Sequence, residues 1–258
     1  MTPPPPPAEL SAAGRRSWEL LVATPLAHRG LWNVRAPENS LTAFERACEG
    51  GYGMELDVQL SADGEAMVFH DDRLDRMTAE TGRLADYSAA DLAQMQLGPT
   101  EETIPTLSAV LERVAGRGLV MIELKVLGGD EGALERRVAE LIDSYHGPHA
   151  VLSFNPHAMG WFADHRPGVL RGLNSWSYYD ATDWMLSPAQ RESLAELEHV
   201  GIARPHFLSL GLDMLPSRRA DELRAAGLAV AAWTVRSPTR WALVEPHCDS
   251  LIFEGWRP

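Results

Sequence analysis

The sequence predicts an α/β protein built as a single (β/α)8 TIM-type barrel, and three observations predict it. Short apolar runs recur along the 258 residues, helical patterns lie between most of them, and no linker, composition break or internal repeat divides the chain. Alternation of strand and helix implies a parallel sheet covered by helices. Length leaves room for two smaller domains, although α/β barrels of this size commonly form one; a doubly wound open sheet is the alternative architecture.

The opening MTPPPPPAELSAAGRRSWELL lacks the long apolar core of a signal peptide, and its proline run should be extended and solvated. Residues 1–20 are therefore read as a flexible Pro-rich tail and 21–258 as the barrel domain. Strand-like runs follow at 25–28, 53–58, 66–70, 119–125, 150–154, 169–173, 207–212, 228–235 and 249–255. Helical patterns occupy 41–51, 106–118, 133–147 and 217–227, several ending in glycine as helix C-termini often do. Nine strands are one more than the barrel needs. In LSADGEAMVFH (60–70), Ala62-Asp63-Gly64 is a hairpin-type turn signal between two apolar runs, so one of the nine can be an extra hairpin arm. A short return from that turn would carry His70 back towards Asp57.

A formal charge of −13, from 36 acidic against 23 basic residues, argues against nucleic acid or an anionic membrane surface as the main partner and favours a small ligand. No run approaches the roughly 18 apolar residues of a membrane span. Cys48 and Cys248 lie far apart without disulfide-framework or zinc-ligand spacing and read as reduced thiols, which with the missing signal sequence gives a cytoplasmic address. Oligomeric state is not legible.

The chemistry concentrates in YGMELDVQLSADGEAMVFHDD, residues 52–72. Strand side chains alternate faces, so Glu55 and Asp57 point one way while Met54, Leu56 and Val58 point the other. Unpaired, two such carboxylates repel and resist desolvation, so a cation is expected between them. MIELKV repeats the pattern with Glu123 and Lys125, adding a third carboxylate. A plain ion pair or a solvent-facing strand is the commoner meaning of one such pair, and repetition weakens that reading. Three carboxylates make the all-oxygen site that Mg2+ or Ca2+ takes, whereas zinc prefers nitrogen or sulfur. Lys125 is the only lysine beside 22 arginines, and its compact ammonium suits a point charge on a phosphate. Of nine histidines, seven (His146, His149, His157, His165, His199, His206 and His247) sit near loops or helix ends and read as surface residues. His28 and His70 instead close apolar runs, where two imidazoles can serve as acid and base.

With Glu38 and Asn39 in PEN (37–39) added, the pattern resembles the glycerophosphodiester phosphodiesterase family. The resemblance runs through AHRG (27–30), PENSLTAFERA (37–47), ELDVQLSADG (55–64), VFHDDRLDRMTAETG (68–82), IPTL (104–107) and IELK (122–125), and is thinner in SF (153–154) and AWTV (231–235). It implies a barrel, a divalent cation held by Glu55, Asp57 and Glu123, His28 and His70 as catalytic acid and base, and Arg29 with Lys125 on the phosphate. It also implies the substrate class, glycerophosphodiesters cleaved to glycerol 3-phosphate and an alcohol. Whether water or the glycerol 2-hydroxyl attacks stays open. Glu38, Asn39 and Asp71 are assigned to a supporting shell. Trp233 offers a flat wall to the substrate and Arg236 a fixed charge near the barrel mouth.

Two positions depart from the family pattern: Arg236 stands where Asn is usual after WTV, and the last strand ends LIFEG, with Phe253 and Glu254, in place of Thr-Asp. They bear on the choice of alcohol rather than on the reaction. The rival readings are a barrel phosphodiesterase acting on lipid, a metal-dependent lyase or aldolase barrel, and a non-catalytic metal- or phosphate-binding relative. The acidic charge and the lack of an anchoring segment weigh against the first, and the two histidines with a phosphate clamp against the second.

Overall fold

The structure, a computed structural model, describes residues 3–126, 132–179 and 186–258. Its strands are β1 (Leu26–His28), β2 (Gly53–Leu60), β3 (Ala66–Val68), β4 (Val120–Leu124), β5 (His149–Ser153), β6 (Leu170–Ser175), β7 (Phe207–Gly211), β8 (Ala229–Val235) and β9 (Ser250–Phe253). They run in the order β1-β9-β8-β7-β6-β5-β4-β2, with β1 paired to β2, so eight parallel strands close a barrel. β3 lies outside the ring, antiparallel on β2 with Val58 opposite Val68 and Leu60 opposite Ala66. All nine expected strands form, and the surplus one is the hairpin arm. Gly64, with φ 81°, makes its turn. β4, β5, β6 and β7 are buried along their whole length, so none shows an apolar-polar alternation with one solvent face, although β6 carries Arg171, Asn174 and Ser175 among its buried residues.

Contacts group the chain into two compact units, Leu26–Val151 and Met1–Pro25 with Leu152–Pro258. In the first, β2 buries Met54, Leu56 and Val58 completely on one face and turns Glu55 and Asp57 to the other. The helices Leu41–Glu49 and Leu107–Val114 start on Ser40 and Thr106, whose hydroxyls accept from Ala43 N and Ala109 N. Between β3 and the second of these helices the chain builds a small core of its own from Met67, Phe69, Leu74, Leu84, Leu92, Leu97 and Ile104. Gln59 ties this segment to β2 by donating Nε2 to the carbonyls of Phe69 (2.9 Å) and Asp71 (2.8 Å), the residues flanking His70.

In the second unit, the expected tail over residues 1–20 is corrected. A helix spans Ala12–Ala23, capped by Ser11, and buries Trp18 and Leu21. Leu10 is buried just before it. Leu10, Gly14, Ser17, Trp18 and Leu21 fall at helical spacing, and burying that stripe outweighs the polar start of the chain. Ser11 is also bonded through N and Oγ to the Gly168 carbonyl, at 3.2 and 3.0 Å. Gly14 belongs to the same approach, because a Cβ there would lie 2.4 Å from that carbonyl oxygen.

The reading of seven histidines as surface residues is corrected at two of them. His149 begins β5 and is buried, its Nδ1 3.0 Å from the Gly147 carbonyl. In the second unit, His206 lies 3% exposed between the Arg171 amide, which donates to its Nδ1 at 3.2 Å, and Glu9, 3.2 Å from its Nε2. His149 is the first residue of β5 and His206 directly precedes β7, so both are buried with the strand starts. No helix among the described residues is long and apolar enough to cross a membrane. Cys48 and Cys248 are both free thiols, and burial pushes the Cys248 thiol up to about 12.

Burial first, and then the Arg171 charge, lowers His206 from 6.5 to about 4, with Glu9 opposing. A histidine depressed in the fold is protonated more readily in the unfolded chain, so its contribution is complete above pH ~6.5 and lost as pH falls towards ~4. His206→Gln is therefore expected to flatten the fall of Tm between these pH values, measured by calorimetry against the parent protein. An unchanged slope would place the acid sensitivity elsewhere.

Candidate active site

The site is assembled from strand ends and the turns after them, all within Leu26–Val151. β1 delivers His28 in register with Glu55, and β2 sets Asp57 in register with Glu123 of β4. Parallel neighbours in register point the same way, so the period-two pattern read on each strand becomes one patch across three. One oxygen from each of Glu55, Asp57 and Glu123 lies within 4.8 Å of the others, and all three residues are buried.

After His28 the chain must turn at once. Arg29 (φ 56°) and Gly30 (φ 81°) are both left-handed, and a Cβ on Gly30 would lie 2.9 Å from the backbone of Ala43. The turn aims the Arg29 amide at Glu55 Oε2 (3.2 Å) and its guanidinium at two carboxylates, Nη1 to Glu38 Oε1 at 2.8 Å and Nε to Asp57 Oδ2 at 3.4 Å. Asn39, also left-handed at φ 58°, donates its amide to the Arg29 carbonyl (2.9 Å) and its Nδ2 to Asp57 Oδ2 (2.9 Å). Lys125 reaches back from the end of β4 to Asp57 Oδ1 at 2.9 Å and to Glu123 in short contact. His28 Nε2 is 3.9 Å from Glu55 Oε2. His70 lies beyond β3, its Nδ1 2.6 Å from Asp71 Oδ1.

The electrostatics divide the carboxylates. Burial, reinforced by the Asp57 and Glu123 charges, holds Glu55 well above the usual carboxylate range. Asp57 is equally buried, yet the charges of Lys125, His70 and Arg29 and the Asn39 hydrogen bond hold it far below. Burial would lower Lys125, but Asp57 and Glu123 outweigh it and keep the ammonium charged. The donor set fits a hard divalent cation: three buried carboxylate oxygens converge, and burial with the neighbouring carboxylates opposes the charge on Glu55. Such an ion needs ionised ligands.

Ten of the twelve residues singled out in the sequence thus meet here: His28, Arg29, Glu38, Asn39, Glu55, Asp57, His70, Asp71, Glu123 and Lys125. Trp233 and Arg236 lie in the other unit. There Trp233 packs edge-on against Phe154 with ring centroids 5.7 Å apart, and Arg236, 63% exposed, pairs with Glu254 at 2.8 Å. The two departures from the family pattern at the C-terminal end are therefore partners of each other. Sequence reasoning missed Arg76, which grips both Glu38 and Asp71. Its motif, DDRLDRM, was in view, but nothing in it separates Arg76 from Arg73, which pairs locally with Asp75.

A closed parallel barrel with this acidic and imidazole-bearing site has the make-up of a hydrolase, and comparison with known proteins identifies the family. The profile of the glycerophosphoryl diester phosphodiesterase family matches residues 28–253. YhdW of Bacillus subtilis is 31% identical over 251 residues, covering 89% of this chain and 97% of its own. A glycerophosphodiester phosphodiesterase of Caldanaerobacter subterraneus is 35% identical over 144 residues, 52% of this chain and 59% of that one. Among solved structures, a Thermotoga maritima glycerophosphodiester phosphodiesterase superposes with TM-score 0.70 and 25% identity over 89% of this chain and 93% of its own. An Oleispira antarctica phosphodiesterase, solved with the product sn-glycerol-3-phosphate, shares the fold with TM-score 0.76 and 24% identity over 92% of this chain and 94% of its own. The chain belongs to the glycerophosphoryl diester phosphodiesterase family, and is accordingly a phosphoric diester hydrolase.

The tight turn after His28 yields a test of the scaffold. Gly30→Ala adds both a left-handed alanine and a clash with the helix Leu41–Glu49, and such strain costs on the order of 1–3 kcal/mol. Expected is a Tm lower by several degrees, at ~2–4 °C per kcal/mol for a domain of this size. An unshifted Tm would show that the turn relaxes freely.

Proposed function

We propose that this protein hydrolyses glycerophosphodiesters to glycerol 3-phosphate and an alcohol, with Glu55, Asp57 and Glu123 holding a divalent cation, Mg2+ or Ca2+, and His28 and His70 as acid and base. The observation that carries the reading is the convergence of three buried carboxylates with two imidazoles and two cationic side chains on one unit. Family membership supports the substrate class, as does the product held by the Oleispira relative.

When bound, the cation supplies Lewis-acid stabilisation of phosphoryl charge. Arg29 and Lys125, each paired with Asp57, are assigned the charge that grows on the phosphate oxygens. Asp71 holds His70 through Nδ1, which directs Nε2 at the reacting atoms in either protonation state. One imidazole removes the proton from the attacking oxygen, water or the glycerol 2-hydroxyl, and the other protonates the leaving alkoxide. With a hydroxyl nucleophile a cyclic phosphate forms first and is opened by water, the two imidazoles exchanging roles. Glu38 and Asn39 hold Arg29 and Asp57 in place, and Trp233 and Arg236 are assigned to the substrate. A cytoplasmic address belongs to the same proposal.

Turnover of a panel of glycerophosphodiesters, read as glycerol 3-phosphate release, tests the reading directly. Chelation is expected to abolish activity and Mg2+ or Ca2+ to restore it, with Glu55→Ala, Asp57→Ala and Glu123→Ala inactive. Full activity in metal-free protein would make the carboxylates structural. His28→Ala and His70→Ala are each expected to lower kcat by ~10²-fold or more with the fold intact; near-normal kcat removes that histidine from the mechanism.

The opposed carboxylates give a second test that needs no turnover. Burial and the neighbouring carboxylates oppose the Glu55 charge, so Glu55→Gln, which removes that charge, should raise the Tm of the metal-free protein while abolishing the further rise that added cation gives. A lowered Tm would mean that the Glu55 charge is already well compensated.

Arg236 and Glu254 bear on the alcohol. Removing Arg236 takes a fixed positive charge from beside Glu254, so Arg236→Asn should raise kcat/KM for glycerophosphocholine relative to an anionic diester, by ~10-fold for about 1.4 kcal/mol. An unchanged ratio would take both residues out of specificity.

A further inference from the structure

Arg76 ends a single 3-10 turn, Leu74–Arg76, six residues after His70. Its guanidinium makes four contacts to two carboxylates: Nε to Asp71 Oδ2 at 2.5 Å, Nη2 to Asp71 Oδ1 at 3.0 Å, Nη1 to Glu38 Oε2 at 3.1 Å and Nη2 to Glu38 Oε1 at 2.7 Å. Each carboxylate has a second commitment. Glu38 Oε1 accepts from Arg29 at 2.8 Å, and Asp71 Oδ1 faces His70 Nδ1 at 2.6 Å. The result is a chain of alternating charge, Arg29, Glu38, Arg76, Asp71, His70, that joins the turn after β1 to the turn after β3.

An exposed ion pair by itself contributes little. This one differs because a planar fork grips two carboxylates at once, and their side chains are only 11% and 25% exposed. Asp71 has two oxygens and three contacts to serve, so its rotamer is fixed by Arg76 on one side and by His70 on the other. Without Arg76 the carboxylate is free to turn away, and His70 loses the acceptor that keeps its proton on Nδ1. Burial would raise Asp71 and Glu38; the Arg76 hydrogen bonds are among the contacts that hold both below the usual range, as ionised acceptors.

We infer that Arg76 is a positioning residue for the reaction: braced on Glu38, it locks the Asp71 carboxylate against Nδ1 of His70 and so presents Nε2 to the reacting atoms. The inference rests on the acid and base reading of His70 above. It concerns orientation, so charge alone cannot replace Arg76. Lysine carries one ammonium and cannot grip two carboxylates from a plane.

The test is a double-mutant cycle of Arg76→Gln and Asp71→Asn in the full chain, with kcat and KM measured for a glycerophosphodiester and the 15N shifts of His70 read by NMR in metal-free protein. Arg76→Gln should lower kcat ~10- to 100-fold, with KM changed less than ~3-fold and Tm nearly unchanged. Asp71→Asn should cost a similar factor, and the double variant no more than the worse single one, because residues acting as one unit are not additive. The His70 shifts should move from one tautomer, protonated on Nδ1, to a mixture. Arg76→Lys should recover less than half of the lost kcat. Additive losses, or a raised KM with kcat intact, would make Arg76 a substrate contact and overturn the inference, as would an unmoved His70 tautomer or wild-type kcat in Arg76→Lys. Should His70→Ala keep its activity, the acid and base reading fails, and the NMR arm still decides whether Arg76 orients the ring.

Discussion

Three carboxylates buried within 4.8 Å of one another form the constraint around which the rest of the site is arranged. Each would be solvated and separate in an unfolded chain, and bringing them together costs both desolvation and repulsion. The fold offsets part of that cost by placing two permanent cations on the two sides of Asp57, one against each of its oxygens. Lys125 bridges Asp57 and Glu123 along β4, and Arg29 bridges Asp57 and Glu38 from the turn after β1. The compensation is uneven, so Asp57 is held strongly ionised while Glu55 is not. The asymmetry leaves Glu55 as a buried carboxylate whose charge would gain from an added cation.

Backbone geometry follows from this arrangement. Arg29, Gly30 and Asn39 all take left-handed conformations within one loop, and each has a side chain or amide aimed at the carboxylates or a close approach to a helix. Such conformations are uncommon outside glycine, and they persist where surrounding contacts over-determine them. Here Ser40 starts a helix immediately after Asn39, so the same few residues both end the loop and fix its direction. The opposite wall is built differently. The segment after β3 has its own small core and is pinned to β2 by Gln59, which places His70 without a long strand to carry it.

The histidine pair illustrates how position changes chemistry within one residue type. His149 and His206 are buried and lowered by burial, and they serve packing and strand starts. His28 and His70 remain partly open, one beside Glu55 and the other backed by Asp71. Full burial suppresses the charged form of an imidazole, as at His206, whereas these two rings are only partly covered and each has a carboxylate at hand.

The sequence by itself determined the strand content, the hairpin arm and which carboxylates share a face, because those depend on a period of two residues and on turn chemistry, both local. It also singled out His28 and His70 by their strand-end positions, and the family pattern added Arg29, Glu38 and Asn39. It misjudged the N-terminal segment: the prolines of residues 3–7 dominate the composition there, while the helical stripe through Leu10, Gly14, Trp18 and Leu21 needs a surface to bury against before it means anything. Only the tertiary structure decided the partnerships. Arg76 meets Glu38 across 38 residues and Arg236 meets Glu254 across 18, and no local rule selects those pairs over the alternatives. Periodicity fixes the face on which a side chain lies, but which charges meet on that face is set by the strand order and the turns, which exist only once the barrel has closed.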